Sequence, residues 1–97
     1  MKKILLACAG GFSTSMLVAK MKEAAIQKNY SVAIDAVAET DIEEHLDATI
    51  ILLGPQIAHR LEDIRSEVTI PVEVIDSLDY GMMNGEKVLE MAWDKIN

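Results

Sequence analysis

Four short stretches of the chain are apolar in the manner of β-strands, and the segments between them space their apolar residues as helices do. Lys3–Ala7 opens with a charge and continues as Ile4-Leu5-Leu6-Ala7, an unbroken apolar run that suits a strand covered on both faces. Thr49–Leu53 has the same character, with Ile50-Ile51-Leu52-Leu53. Tyr30, Val32, Ile34 and Ala36 alternate with more polar neighbours, as in a half-exposed strand. A fourth, short strand, Val72–Ile75, follows Pro71 and carries Glu73. Between strands one and two, Ser13–Lys28 sets Leu17, Met21, Ala24 and Ala25 at helical spacing, with Ser13 or Thr14 as a candidate N-cap. Thr40 or Asp41 can cap a short helix running to about Leu46. After the turn Gly54-Pro55, Ile57, Leu61, Ile64 and Val68 define one helical face. Asp76–Gly85 reads as a loop, and Glu86–Lys95 as a last helix with Val88, Leu89, Ala92 and Ile96 facing inward.

Strand and helix in alternation predict an α/β fold: a four-stranded parallel sheet with helices on both faces. The unbroken apolar runs place strands one and three in the centre, and the more polar strands two and four at the edges. Right-handed crossovers then give the order 2-1-3-4. In such a sheet the chain reverses direction between strands one and three, and the crevice at their carboxyl ends is the expected ligand site. Cys8 ends strand one at that crevice.

Composition narrows the picture. A chain of 97 residues, 51% of them hydrophobic, is enough for one compact domain spanning 1–97, and no linker or repeat divides it. The net charge of −7, with no basic block, disfavours nucleic acid as a partner. A single cysteine excludes an internal disulfide and any Cys-x-x-Cys pair. His45 and His59 are too few and too far apart to suggest a metal site, so neither metal nor cofactor is expected. No apolar run approaches the roughly 20 residues that cross a bilayer, and a cytosolic protein is expected.

The segment Cys8-Ala9-Gly10-Gly11-Phe12-Ser13-Thr14-Ser15 carries the chemistry. It joins a buried strand to a helix. Gly10 and Gly11 permit backbone N–H groups to turn toward a common centre, and the helix adds its own unpaired N–H groups and positive dipole end. Ser13, Thr14 and Ser15 add hydroxyls. Together these make a cradle for a dianion, and the same field favours the thiolate of a cysteine placed there. A lone cysteine is often only a small buried hydrophobe, but its place at the switch-point loop, before two glycines and three hydroxyl residues, argues for a nucleophile. Competing motifs fail. No lysine precedes Ser13 or Thr14 as a Walker loop requires, and Gly-x-Gly-x-x-Gly is absent. A receiver domain needs an aspartate where Leu53 and Gly54 stand. The cysteine phosphatase loop needs an arginine where Thr14 stands, to clamp the phosphoryl group during hydrolysis. Its absence suggests a carrier that keeps the group.

The run from Cys8 to Met21, together with Leu52-Leu53-Gly54-Pro55-Gln56-Ile57-Ala58 and Pro71-Val72-Glu73-Val74-Ile75-Asp76-Ser77-Leu78 followed by Tyr80-Gly81, resembles enzyme IIB of the sugar phosphotransferase system, in its lactose/cellobiose/chitobiose class. The resemblance spans essentially the whole chain. It implies a phosphocysteine at Cys8, a phosphohistidine donor on enzyme IIA, and an acceptor sugar held by the membrane permease, enzyme IIC, which would bring the protein transiently to the inner face of the membrane. A β-linked disaccharide such as cellobiose, chitobiose or lactose is the implied acceptor. Cellobiose-type loops often read Cys-Ser-Ala-Gly-Met-Ser-Thr-Ser, so Ala9, Gly10 and Phe12 depart from that pattern, and these departures leave the sugar open. The phosphatase and a non-catalytic anion-binding module stand as alternatives, distinguished by hydrolysis of an aryl phosphate and by the absence of a covalent intermediate.

Phe12, Gln56, Tyr80, Met82 and Met83 are candidate partner contacts. Phe12 either projects from the loop or packs over the first helix, and the two methionines suit an adaptable surface unless one of them fills the core. Gln56 either orients or donates to the phosphoryl group, or else caps a helix or is simply exposed to solvent. Asp79 reads as a solvated or turn residue rather than a general acid, His59 as a surface residue, and Trp93 as peripheral packing. The acidic run Glu39, Asp41, Glu43, Glu44 and Asp47 reads as a solvated face. Short edge strands and no spare apolar helix face make a monomer the default.

Overall fold

A computed structural model of the chain describes residues 1–9 and 12–97, with the side chains of Phe12 and Ser13 also outside the description. Four strands, β1 (Lys2–Cys8), β2 (Val32–Ala38), β3 (Ile50–Leu53) and β4 (Val72–Val74), form one parallel sheet in the order β2-β1-β3-β4. This is the order expected from the apolar runs. β1 and β3 are central, so both of their faces must be covered, and Ile4–Cys8 and Ile50–Leu53 are buried without a break. The edge strand β2 is as long as β1 and pairs with it along its whole length, from Lys2 opposite Val32 to Cys8 opposite Ala38. The other edge, β4, has three residues.

The two-residue period of the central strands divides the core in two. Ile4, Leu6, Ile50 and Leu52 point to one face, where Leu17, Met21, Ala24 and Ala25 of α1 (Phe12–Lys28) and a later helix cover them. Leu5, Ala7, Ile51 and Leu53 point to the other, beneath Ile42, Ile57 and Ile64. α1 ends where Asn29 adopts φ 58°, and the Tyr30 N–H donates to the Ala25 carbonyl at 2.9 Å, a left-handed closure that redirects the chain into β2.

Several elements differ from the sequence expectation. α1 begins at Phe12, so Ser13 and Thr14 stand inside its first turn rather than at its cap. The short helix expected after β2 is a 3-10 segment, Glu39–His45, which begins without a side-chain cap and buries Ile42. The helix expected to run from Ile57 to Val68 is two pieces. A 3-10 segment, Pro55–Arg60, precedes α2 (Leu61–Glu67), because Ile57 takes a non-helical φ/ψ of −117°/24° and Val68 is extended. The apolar face survives the break: Ile57 and Ile64 are buried, and Leu61 and Val68 pack against the same cluster.

The segment Asp76–Gly85 is not a loop. It contains α3 (Ser77–Gly81), capped by Asp76, whose carboxylate accepts from the N–H groups of Leu78 at 2.8 Å and Asp79 at 3.2 Å. α4 (Gly85–Ile96) follows, capped by Asn84 through the Lys87 N–H at 3.2 Å. It starts against the middle of α1: a Cβ on Gly85 would fall within 2.7 Å of the Lys20 carbonyl carbon, the Lys20 Cβ and the Met21 nitrogen. Only glycine allows the two helices to approach so closely.

The amino end of the sheet is tied by polar and aromatic contacts. Trp93 stacks on Tyr30 with ring centroids 4.1 Å apart, and the Lys2 ammonium lies 5.7 Å from the Trp93 ring while binding the Ile96 carbonyl and the Asn97 side chain. Tyr30 Oη donates to Glu90 at 2.7 Å, and Lys28 pairs with the same carboxylate at 3.0 Å. Those two partners, the Tyr30 hydroxyl first, hold the Glu90 carboxyl below its ordinary range, and the Glu90 hydrogen bond raises both Lys28 and Tyr30. Lys3 likewise holds Asp47 low, at 3.2 Å.

Candidate active site

The carboxyl ends of β1 and β3 meet where the chain reverses, and Cys8 lies there. It is the last residue of β1, 3% exposed, opposite Ala38 of β2. On the β3 side the Gly54 N–H donates to the Ala7 carbonyl at 2.9 Å, extending the ladder one residue past Leu53 and bringing Gly54 beside the cysteine. A Cβ on Gly54 would stand 3.4 Å from Cys8 Cβ and 2.7 Å from Gln56 Oε1. The missing side chain therefore leaves the space in which the Gln56 carboxamide lies, near Cys8, and makes Gln56 a polar group able to reach a substituent on the sulfur.

Ala9 is exposed and follows Cys8 in a bend. Gly10 and Gly11, expected to form the cradle, lie outside the described residues, as do the side chains of Phe12 and Ser13. The chain resumes with the first turn of α1, whose leading N–H groups have no intrahelical acceptor. Within that turn Ser15 is exposed, whereas Thr14 is fully buried. The Thr14 hydroxyl lies 3.1 Å from Tyr80 Oη.

Of the candidate partner contacts, the structure brings Gln56 to Cys8 and leaves it exposed. Tyr80 is placed otherwise than expected: it is 6% exposed and reaches inward to Thr14, because the helical turn of α3 directs it at the core. Met82, just past α3, is 69% exposed beside the exposed Leu78, while Met83 is partly buried against the core with φ 53°. The methionine pair thus divides into one surface and one packing residue. Asp79 is partly buried and lies 4.0 Å from Lys87 Nζ. His59 is exposed. Within the acidic run, Glu39 is drawn to Arg60 at 3.2 Å and Asp47 to Lys3. Among the described residues no group of three His, Cys, Asp or Glu side chains is placed to hold a metal ion. The apolar pattern of Asp76–Gly85 does not announce α3, so the sequence alone does not bring Tyr80 to Thr14. The sequence signal was Asp76, an N-cap residue four positions before the tyrosine.

Residues 3–91 match the lactose/cellobiose-specific IIB subunit family of the PTS system. The chain belongs to that family. It is 41% identical over 105 aligned residues to the galactose-specific EIIB component of Lactococcus lactis subsp. cremoris, covering 99% of this chain and 97% of that protein. It is 44% identical to the oligo-beta-mannoside-specific EIIB component of Bacillus subtilis, over 95% of this chain and 93% of that one. A solution structure of the cellobiose-specific phosphotransferase IIB component protein of Borrelia burgdorferi superposes with a TM-score of 0.80 at 42% identity, covering 99% and 92% of the two chains. The lactose-specific IIB component domain of Streptococcus pneumoniae shares the fold at 18% identity, with a TM-score of 0.83 over 96% and 95%. IIB subunits are phosphotransferase components that work alongside IIA and IIC partners, and the fold described above is theirs. No helix among the described residues is long and apolar enough to cross a membrane.

Proposed function

We propose that this IIB subunit acts as one phosphocarrier unit that takes a phosphoryl group onto Cys8 from a phosphohistidine of enzyme IIA and passes it to a sugar held by the permease, enzyme IIC. The observation that carries this reading is the position of Cys8, at the end of a central strand where the sheet's crevice opens and immediately before the residues that lead into α1. In the first transfer the sulfur forms a bond to phosphorus as the N–P bond breaks. The imidazole nitrogen recovers the electron pair, and the thiol proton replaces the lost phosphoryl group in the overall balance. In the second, a sugar hydroxyl oxygen forms the new bond to phosphorus, the S–P bond breaks, and the hydroxyl proton balances the returning thiolate. The protein's share of the work is placement and charge stabilisation: backbone N–H groups at the start of α1 face the equatorial oxygens, and Gln56 donates from the β3 side.

Carriage is favoured over hydrolysis by position 14. A phosphatase would hold an arginine there; here Thr14 is buried and turned to Tyr80. The relatives named above serve galactose, cellobiose and oligo-beta-mannosides by their descriptions, and a β-linked disaccharide fits this range as the acceptor. The test is a phosphoenolpyruvate-driven relay with cognate enzyme IIA and permease vesicles. Formation of sugar phosphate with wild type and its loss with Cys8→Ser supports the reading. Equal formation with both proteins contradicts it.

A further inference from the structure

We propose that Tyr80 is a positioning residue for phosphoryl transfer at Cys8: through Thr14 it holds the first turn of α1 in the orientation that presents its N–H groups to the phosphoryl group. The inference rests on the phosphocarrier reading given above. Its physical basis is independent of any partner. Thr14 is the third residue of α1, in the turn whose N–H groups lack intrahelical acceptors and can bind an anion. The hydrogen bond from Thr14 to Tyr80, 3.1 Å between two hydroxyls buried from solvent, anchors the turn to α3 on the same face of the sheet.

Tyr80 is itself held on both sides. Its N–H donates to the Asp76 carbonyl at 2.9 Å, and its carbonyl accepts from the Met83 N–H at 3.1 Å. The Asp76 carboxylate caps the same short helix. The middle of α1 is fixed separately, where Gly85 abuts Lys20 and Met21. α1 is therefore pinned at two points, and the pin nearer the cysteine is the Tyr80 hydroxyl. Small errors of placement at a reacting centre carry large rate penalties, so this pin acts on the transfer step rather than on donor affinity.

Tyr80→Phe and Thr14→Val each remove one hydroxyl and preserve volume. With phosphorylated enzyme IIA as donor, each variant should lower the saturating rate of Cys8 phosphorylation about tenfold or more while leaving the half-saturating donor concentration within about twofold. Thr14→Ser keeps the hydroxyl and should retain the wild-type rate within about twofold. The double variant should be no slower than either single one, since both remove the same bond. Amide hydrogen exchange gives a readout that needs no phosphoryl group: residues 16–18, whose N–H groups bond the carbonyls of the first turn, should exchange faster in Tyr80→Phe, with residues 22–28 unchanged. Wild-type rates in Tyr80→Phe, equal slowing by Thr14→Ser and Thr14→Val, or unchanged exchange at residues 16–18 would overturn the proposal. If Tyr80→Phe does not fold, Thr14→Val against Thr14→Ser decides the matter alone. A wild-type protein that accepts no phosphoryl group sinks the carrier reading instead, and the exchange comparison then decides whether Tyr80 pins the turn.

Discussion

The two ends of the sheet are built from different materials. At the amino ends of the strands, charge and aromatic surface close the molecule: Trp93 stacks on Tyr30, Lys2 reaches across to the chain's last residues, and Glu90 binds both Tyr30 and Lys28. At the carboxyl ends ions are present too, in the Glu39–Arg60 pair past β2 and in Asp76 past β4, but the residues around Cys8 are small or hydroxylated. Cys8, Ala9 and Gly54 leave space, and the polar groups nearby belong to Gln56, Thr14, Ser15 and Tyr80. One end satisfies its polar groups within the chain through ions and rings, which resists fraying. In the function proposed above, the other end presents the start of a helix to an incoming anion, and the Thr14–Tyr80 hydroxyl pair ties that turn to α3. A charged tie there would compete with the dianion; a hydroxyl pair fixes geometry without adding a fixed charge.

Substitutions can break this contrast in graded steps. The largest effect on stability is expected from Gly85→Ala, whose new Cβ meets α1 backbone and not a movable side chain, for a loss of about 3 kcal/mol by chemical denaturation. Next comes Trp93→Ala, which removes the stack and the Lys2 contact and should cost about 2 kcal/mol while leaving the rate of phosphoryl transfer unchanged, because the whole sheet lies between it and Cys8. Tyr80→Phe should cost about 1 kcal/mol, the scale of one buried neutral hydrogen bond, and shows the reverse pattern of small stability loss and large rate loss. Gly54→Ala is expected to be neutral within about 1 kcal/mol, since its φ/ψ of −61°/151° suits alanine and the clashing atom is the mobile end of Gln56. It should nonetheless slow transfer by displacing that carboxamide, and Gln56→Ala should slow it to the same degree.

The smallest effect is electrostatic. Glu90 is held below its ordinary value of 4.5, so its contribution is present above that pH and is lost as pH falls through the lower folded value. Lys28 and Tyr30 are raised above 10.5 and 10.0, so theirs are present below those values and are lost as pH rises through the raised ones. Glu90→Gln should flatten both limbs of the stability–pH profile, and the phosphoryl-transfer rate near neutrality should not change.

The sheet was legible in the sequence because burial on two faces leaves an unbroken apolar run. Ile4–Ala7 and Ile50–Leu53 reported their central positions directly, and the 2-1-3-4 order followed. The position of Cys8 was legible for a related reason, since an unbroken apolar run ending at that residue puts it at the carboxyl end of a central strand. Finer features were lost where competing forces act locally. The periodicity of Ile57, Leu61, Ile64 and Val68 marks a buried face, but a 3-10 turn can present that face as well as an α-helix does, and Pro55 at the start favoured it. α3 has five residues, too few for a periodic signal, so Asp76 was its only announcement. With α3 unread, Tyr80 looked like a surface residue, and the pair it forms with Thr14 could not be foreseen from positions 66 residues apart.

Intact mass spectrometry decides whether Cys8 accepts the phosphoryl group. The protein and Cys8→Ser are incubated with phosphoenolpyruvate, the general relay proteins and cognate enzyme IIA, then weighed. A gain of one phosphoryl group in the wild type and none in Cys8→Ser is the predicted result. No gain in the wild type while enzyme IIA is demonstrably phosphorylated, or an equal gain in both proteins, would contradict it.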